Sequence, residues 1–203
     1  DYIIEIGKKW VSPPYCVDGW RLDVAADLGH SPEYNHYFSK RFRKEVKAVN
    51  PNVMIYAEHY GDASSWMQGD QWDTVMNYPF YGAVMDLVAY GGITVSQFAE
   101  RIGFLKGNLH KKAYPLMFNL IDSHDTPRFL HSAGNSYEKQ KLAAAFQLLS
   151  PGMPMIYYGD EYGMENNDGS SRGCFDWKNY KNEIFEWYQK LTQIRKLKVM
   201  KDG

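Results

Sequence analysis

Short apolar runs alternate along the chain with longer stretches in which apolar residues have helical spacing. The short runs predict strands, and a continuous run such as 53–57 is typical of a strand buried on both faces of a parallel sheet. The predicted strands lie at 17–25, 53–57, 73–78, 116–120 and 155–158. The predicted helices lie at 2–11, 32–49, 63–67, 95–109, 138–149 and 184–198. This alternation predicts an α/β fold in which helical crossovers join parallel strands.

The second predicted helix has clear boundaries in the sequence. Ser31 precedes a proline at the first helical position, Pro32, and the Asn-Pro pair at 50–51 ends the helix. Apolar residues spaced by four and three positions give the helix one buried face: Phe38, Phe42, Val46 and Val49. The basic residues between them are predicted to form a solvated face: Lys40, Arg41, Arg43 and Lys44.

Ionisable residues follow three of the predicted strands at the point where each apolar run ends. Arg21 and Asp23 end the first strand, Glu58 ends the second, and His124 and Asp125 end the fourth. Residues two apart in a strand share a face, so Arg21 can hold Asp23 ionised and oriented. A structural ion pair at a strand end is the alternative for these two residues. Carboxylates from three strands at one edge of a sheet would repel each other, which favours a functional site.

Two facing carboxylates are the minimum for hydrolysis of a glycosidic bond. Asp23, held ionised by Arg21, is the candidate nucleophile. Glu58 follows an apolar strand and has anionic neighbours, and both conditions favour the protonated form that a general acid/base needs. Asp125 is the candidate for stabilising the positive charge of an oxocarbenium ion, and His124 for donating hydrogen bonds to the sugar.

The composition is compatible with a carbohydrate substrate. The 203 residues include sixteen Tyr, ten Phe and six Trp, whose flat apolar faces match sugar rings, although most of them are expected to fill a core. A net charge of −1 without long charged runs argues against nucleic acid or an anionic membrane as a partner. No apolar run reaches the roughly 18–20 residues of a membrane span.

The cellular compartment stays open. Cys16 and Cys174 make no disulfide framework, and no signal peptide is visible. Because the chain opens on Asp1 rather than Met, its true N-terminus is expected upstream.

Three ordered segments that carry the candidate residues resemble signature segments of the α-amylase family of glycoside hydrolases. They are DGWRLDVA (18–25), AE (57–58) and SHDT (123–126). The segments DQWDTVMNY (70–78), PGMP (151–154) and IYYGDE (156–161) resemble the cyclomaltodextrinase, neopullulanase and maltogenic amylase branch. The resemblance covers essentially the whole chain. It implies a retaining mechanism through a covalent glycosyl-aspartate intermediate, with Asp23, Glu58 and Asp125 as the catalytic residues.

The resemblance also implies which part of the fold this chain supplies. The signature segments belong to strands four, five and seven of a (β/α)₈ TIM barrel, and the run before Tyr157 belongs to strand eight. Residues 1–203 are therefore expected to form the C-terminal part of the barrel, strands four to eight. Strands one to three and a C-terminal β-sandwich are expected outside the chain. A five-stranded arc has two open edges, so this fragment is expected to be unstable and inactive alone.

Further residues are implied to bind substrate. They are Arg21, Asp27, Tyr60, His124, Asp168 and Arg172. Asp27 stands where the branch has a glutamate, and Tyr60 stands where it has a tryptophan that can stack on a sugar. Asp168 and Arg172 keep the spacing of an Asp-Pro-x-x-Arg element that helps hold the non-reducing end of the glucan, with Gly169 in place of proline. The alternatives are structural: Asp168 and Arg172 hold a loop together, and Tyr60 packs in the core.

The implied reaction is hydrolysis of α-1,4 bonds, with α-1,6 bonds as an open alternative, in cyclodextrins, pullulan, starch or maltooligosaccharides. An α-glucosidase, an amylopullulanase or a transglycosylase of the same family is the alternative among enzymes. A catalytically silent amylase-like interaction domain is disfavoured, because the three carboxylates, Arg21 and His124 are all present. The expected partner is an α-glucan, and the full-length protein is a candidate homodimer.

No cofactor is expected to be required. The other histidines lack the spacing of a zinc site: His30, His36, His59, His110 and His131. Calcium (Ca²⁺) stays open for the full-length protein, because the ligands expected for it fall outside this chain.

Overall fold

The computed structural model describes residues 2–166 and 170–202, with side chains through 200. The chain divides into two compact units. The first unit comprises Asp1–Asn77 and Lys106–Phe118, and the second comprises Tyr78–Leu105 and Asn119–Gly203.

The helices and strands follow each other in the order expected of an α/β chain. The strands are β1 (Gly19–Leu22), β2 (Met54–Ala57), β3 (Thr74–Val75), β4 (Phe118–Asn119) and β5 (Met153–Pro154). The α-helices are α1 (Tyr2–Val11), α2 (Pro32–Val49), α3 (Tyr78–Val84), α4 (Val95–Asn108), α5 (Phe129–Ser132), α6 (Tyr137–Leu149), α7 (Glu183–Arg195) and α8 (Lys198–Asp202). A π-helical turn, Met85–Ala89, continues α3, and 3₁₀ turns lie at Tyr114–Leu116 and Asp160–Tyr162.

The first unit contains a parallel sheet in the strand order β1-β2-β3. Arg21 lies opposite Tyr56, and Tyr56 lies opposite Thr74, so these three side chains form one row across one face of the sheet. A parallel bridge between Met76 and Phe118 continues the sheet toward β4. The predicted parallel pairing is therefore confirmed in this unit, and it brings the ends of β1 and β2 to the same edge.

Helices α1 and α2 pack together in the first unit. A Cβ atom added at Gly7 would come within 2.6 Å of the Phe42 ring, so α1 can approach α2 this closely only with a glycine there. The Trp20 indole of β1 donates a hydrogen bond to the carbonyl of Gly7 at 3.1 Å, which ties α1 to the strand that precedes Asp23.

The boundaries of α2 are confirmed. Ser31 accepts a hydrogen bond from the backbone of Tyr34 as the N-cap, and the helix ends before Asn50. The prediction that the basic residues form a solvated face is wrong for Arg43. Its side chain is half-buried and forms an ion pair with Asp73 at 2.6 Å. Burial alone would raise the pKa of Asp73, but hydrogen bonds from the Ile55 backbone and from basic side chains of α2 lower it.

Several predicted boundaries are corrected by the structure. The first strand ends at Leu22, and 23–26 form a turn. The fifth strand is Met153–Pro154, two residues before the predicted run 155–158. The segment 116–120 contributes only Phe118–Asn119 to a strand, and 63–67 contains a turn instead of a helix.

Helix α3 was not predicted, because Pro79 was interpreted as the end of a strand. Pro79 instead occupies the first turn of α3, where its missing N–H costs nothing. The predicted helices 95–109 and 138–149 are confirmed to within one residue, and the last predicted helix breaks after Arg195.

The second unit has two apolar clusters. One packs α3 and the π-helical turn against α5 and α6, and Phe129 at its centre is fully buried. The other packs α6 against α7 through Ala144, Leu148, Ile184 and Leu191. In the same unit, Asn119 accepts a hydrogen bond from the backbone of Met155 at 2.8 Å, next to β5.

Candidate active site

Arg21 joins the two carboxylates of the first unit. Its guanidinium forms an ion pair with Asp23, and its Nη2 lies 3.3 Å from Oε2 of Glu58. Burial alone would lower the pKa of Arg21, but the hydrogen bond to Asp23 and the charges of Glu58 and Asp23 outweigh it and raise the pKa. The guanidinium is therefore a fixed cation beside both acids.

The two carboxylates have opposite environments. The Asp23 side chain is 72% exposed, whereas the Glu58 side chain is 6% exposed. Oε2 of Glu58 accepts a hydrogen bond from the backbone N–H of Val24 at 2.8 Å. One acid is open to an incoming molecule, and the other is held firmly in the wall of the site.

Tyr56 lies in β2, two residues before Glu58 and opposite Arg21 of β1. Its ring stacks on that of Phe118 with centroids 4.4 Å apart. Burial raises the pKa of Tyr56 to about 12, against the opposing effect of the Arg21 charge. The phenol is therefore neutral at ordinary pH and does not compete with Asp23 and Glu58 for the positive charge of Arg21.

A pocket of about 310 Å³ lies beside Glu58 in the first unit. Two of the residues predicted to bind substrate, Asp27 and Tyr60, line it together with Glu58 and Val24. Asp27 also accepts a hydrogen bond from the backbone of Gly29 at 3.0 Å. Tyr60 is 54% exposed, so the structure places it at the surface of this pocket and not in the core.

The second unit brings together His124, Asp125 and Arg172. Asp125 lies 3.0 Å from Nε2 of His124 and 3.1 Å from Nη2 of Arg172. Nε of Arg172 also donates to the backbone carbonyl of His124 at 3.0 Å. Sequence reasoning paired Arg172 with Asp168, which lies outside the described residues, and did not predict the contact with Asp125.

Sequence reasoning also missed a buried cluster beneath His124 and Asp125. Asp122, three residues before Asp125, is 1% exposed, and Asp160, after β5, is 2% exposed. The fully buried Arg128 lies 3.4 Å from Asp160, donates to the carbonyl of Tyr158 at 2.8 Å and lies over the Tyr157 ring. This cluster connects the segment that carries Asp125 to the segment after β5.

The sequence offered one signal for this cluster, namely the presence of a second carboxylate, Asp122, three residues before Asp125.

The two buried aspartates interact with each other, and burial favours the protonated form of both. Burial raises the pKa of Asp122 to about 6, and burial together with the charge of Asp122 raises the pKa of Asp160 well above its ordinary value. Oδ1 of Asp122 and Oδ2 of Asp160 have no hydrogen-bond partner among the described residues. A proton held between these two oxygens would give each of them a partner.

This pair predicts a pH dependence of stability. Because the folded-state pKa is raised, the contribution of the pair is fully present below the ordinary carboxyl pKa and is lost as pH rises through the folded-state pKa. A rise of the Asp122 pKa from near 4 to about 6 corresponds to a loss of folding stability on the order of 3 kcal/mol as the pH rises across that range. We expect Asp122→Asn, which cannot ionise and whose amide oxygen can still accept from the Phe129 backbone, to remove most of this loss.

The measurement is the midpoint of thermal unfolding of the full-length gene product between pH 4 and pH 8. Asp86→Asn, at an exposed ion pair with Arg101, is the matched control and should follow the wild type. A decline with pH that is as steep in Asp122→Asn as in the wild type would contradict the raised pKa of Asp122.

Within 2–166 and 170–202, no three or more His, Cys, Asp or Glu side chains are grouped so as to hold a metal ion. None of the helices described there combines the length and the hydropathy of a membrane span.

The amino-acid sequence matches a model of known proteins described as "Alpha amylase, catalytic domain" over residues 1–179. A curated relative named cyclomaltodextrinase, from Thermoanaerobacter pseudethanolicus, is 42% identical over 198 residues, which are 96% of this chain and 33% of the relative. Neopullulanase 2 from Thermoactinomyces vulgaris is 38% identical over 96% of this chain and 32% of its own length. The chain thus spans about a third of the length of these relatives.

A solved structure has the same fold over the whole chain. Cyclic alpha-maltosyl-(1→6)-maltose hydrolase from Arthrobacter globiformis superposes with a TM-score of 0.91 at 30% identity, covering 100% of this chain and 45% of that one.

Proposed function

The chain belongs to the α-amylase catalytic-domain family, whose TIM-barrel members include the glycoside hydrolases that it resembles, and we propose that its full-length protein hydrolyses α-glucans with retention of anomeric configuration. The observation that carries the proposal is the position of Arg21 beside both Asp23 and Glu58. A structural ion pair at a strand end would need only one acid. A second, buried carboxylate beside the same guanidinium provides the two acids that glycoside hydrolysis requires.

In the proposed mechanism, Asp23 attacks the anomeric carbon while Glu58 gives its proton to the glycosidic oxygen, and the C–O bond breaks toward that oxygen. The product is a glycosyl ester of Asp23 and a free sugar end. Glu58, now ionised, takes a proton from water, and the resulting hydroxide equivalent displaces Asp23. This assignment is supported by the exposure of Asp23, which an attacking group needs.

Asp125 and His124 are proposed to bind sugar hydroxyls and to stabilise the positive charge of the oxocarbenium-like transition state. The contacts of Asp125 with His124 and Arg172 hold its carboxyl group in one orientation. Tyr60 and Asp27 are proposed to bind the leaving part of the glucan, because they line the pocket beside Glu58.

The five strands are proposed to be strands four to eight of the (β/α)₈ barrel. The order β1-β2-β3 with all pairs parallel supports this, since consecutive strands of a barrel lie side by side. Ionisable residues directly after β1 and β2 also match the side of a barrel on which active sites are built.

The proposed substrates are cyclodextrins, starch, pullulan and maltooligosaccharides, with α-1,4 bonds preferred. The names cyclomaltodextrinase and neopullulanase among the relatives support this choice. The Arthrobacter relative, named for a cyclic α-maltosyl-(1→6)-maltose, favours α-1,6 bonds as a second possibility.

The test is to incubate the full-length gene product with β-cyclodextrin, starch and pullulan, and to follow the new anomeric protons by NMR. We expect cyclodextrin to be opened and the α-anomer to appear first, before mutarotation. Initial release of the β-anomer, or no cleavage of any of the three glucans, would contradict the proposal. Products longer than the substrate would instead favour the transglycosylase alternative.

A further inference from the structure

Val24 has an unusual backbone conformation directly after the proposed nucleophile. Its φ is +44°, in the left-handed region that β-branched residues rarely adopt. The side chain is 55% exposed, so its burial does not explain this conformation. A strained residue beside a candidate active site calls for an explanation in the direction of its backbone groups.

The conformation of Val24 lets two successive N–H groups, its own and that of Ala25, face Glu58. The amide nitrogen lies 2.8 Å from Oε2 of the carboxylate. The backbone of Glu58 is bonded on both sides. Leu22, the last residue of β1, accepts from the Glu58 N–H at 2.9 Å, and Ala25, in the turn, donates to the Glu58 carbonyl at 3.2 Å. The turn that begins with Asp23 therefore fixes both the main chain and the carboxylate of Glu58.

Both fixed donors lie at one oxygen of Glu58. Oε2 accepts from Val24 and lies 3.3 Å from Nη2 of Arg21. An oxygen that faces an N–H and a cationic donor is an acceptor and does not carry the proton. The proton of a general acid at this position is therefore carried by the other oxygen, Oε1.

We propose that Val24 is a positioning residue for acid catalysis: in the turn that its left-handed backbone permits, its N–H binds Oε2 of Glu58, which makes Oε1 the oxygen that protonates the leaving group. This inference rests on the proposed function. In the first step, the Oε1–H bond breaks and the proton goes to the glycosidic oxygen, which takes the electron pair of the breaking C–O bond. In the second step, Oε1 accepts a proton from the attacking water.

The inference predicts a dependence on the leaving group. A glucan leaving group must be protonated as it departs, whereas fluoride departs with little help from an acid. Replacing the Val24 amide by a backbone ester, which keeps the isopropyl side chain and removes the N–H, is expected to lower kcat/KM on β-cyclodextrin by roughly 10- to 100-fold. On α-maltosyl fluoride the loss is expected to stay below about 3-fold.

Three controls are made in the full-length gene product. The same amide-to-ester change at Val95, a valine that is 73% exposed at the start of α4, is expected to leave kcat/KM within about 3-fold on both substrates. Val24→Gly and Val24→Asn retain the N–H and adopt the left-handed region readily, so the ratio of kcat/KM on cyclodextrin to that on the fluoride is expected to stay within about 3-fold of the wild-type ratio. These two variants test the inference by themselves if the ester protein does not accumulate, since a fall of this ratio by about 10-fold or more in either of them would overturn it.

Equal losses on the two substrates in the ester variant would show a merely structural role and overturn the inference while leaving the proposed function intact. No loss on cyclodextrin would overturn it as well. If the wild-type protein cleaves neither substrate, the proposed function fails, and the inference fails with it.

Discussion

Asp23→Asn is expected to abolish turnover, lowering kcat on cyclodextrin or maltooligosaccharides by roughly 10⁴-fold or more. Asparagine keeps the size of aspartate and one oxygen for Arg21, but its amide cannot attack the anomeric carbon. The Asp23 side chain is 72% exposed, so we expect little change in folding. The measurement is single-turnover and steady-state kinetics of the full-length gene product, with thermal unfolding as the check on structure.

The control for this variant is Asp86→Asn, which removes the same charge at the exposed pair with Arg101. It should retain wild-type kinetics within about 2-fold, as surface changes usually do. Activity of Asp23→Asn within 10-fold of the wild type would eliminate Asp23 as the nucleophile and would leave the structural ion pair as the better explanation of its contact with Arg21.

Glu58→Gln should have a second large effect, which depends on the substrate. Glutamine can still accept the hydrogen bond from Val24, but it has no proton to give. We expect kcat/KM on cyclodextrin to fall by roughly 10²- to 10⁴-fold, the usual contribution of a general acid, and kcat/KM on α-maltosyl fluoride to fall much less.

Azide provides a sharper readout for the same variant. Without a general base, the glycosyl-enzyme reacts slowly with water, but azide needs no deprotonation and should restore turnover of the fluoride. The product should be the α-glycosyl azide, because two displacements retain the configuration. A β-glycosyl azide, or no effect of azide, would be incompatible with Glu58 as the acid/base.

Local signals in the sequence predicted several elements well. The limits of α2 follow from Ser31, Pro32 and Asn50, which act within one turn of the helix ends. The contact of Arg21 with Asp23 followed from their spacing alone. For these features the determining groups are neighbours in sequence, so no knowledge of distant contacts was needed.

Other features depend on partners that are distant in sequence. Arg43 was assigned to solvent because its neighbours are charged, yet Asp73, thirty residues away, binds it. The pairing of Asp122 with Asp160 is equally nonlocal, and no spacing rule joins the two. The left-handed conformation of Val24 also escaped prediction, since valine strongly favours extended backbone and only the surrounding hydrogen bonds hold it otherwise.

The most direct test of the central claim is to trap the glycosyl-enzyme intermediate. The full-length gene product would be incubated with a fluorinated glucosyl fluoride, which forms the intermediate but releases it slowly, and then digested for mass spectrometry. We predict that the peptide containing Asp23 gains the mass of one fluorinated sugar and that fragmentation places the sugar on Asp23. A sugar attached to any other residue, or hydrolysis of the reagent without a trapped adduct and with inversion of configuration, would contradict this account.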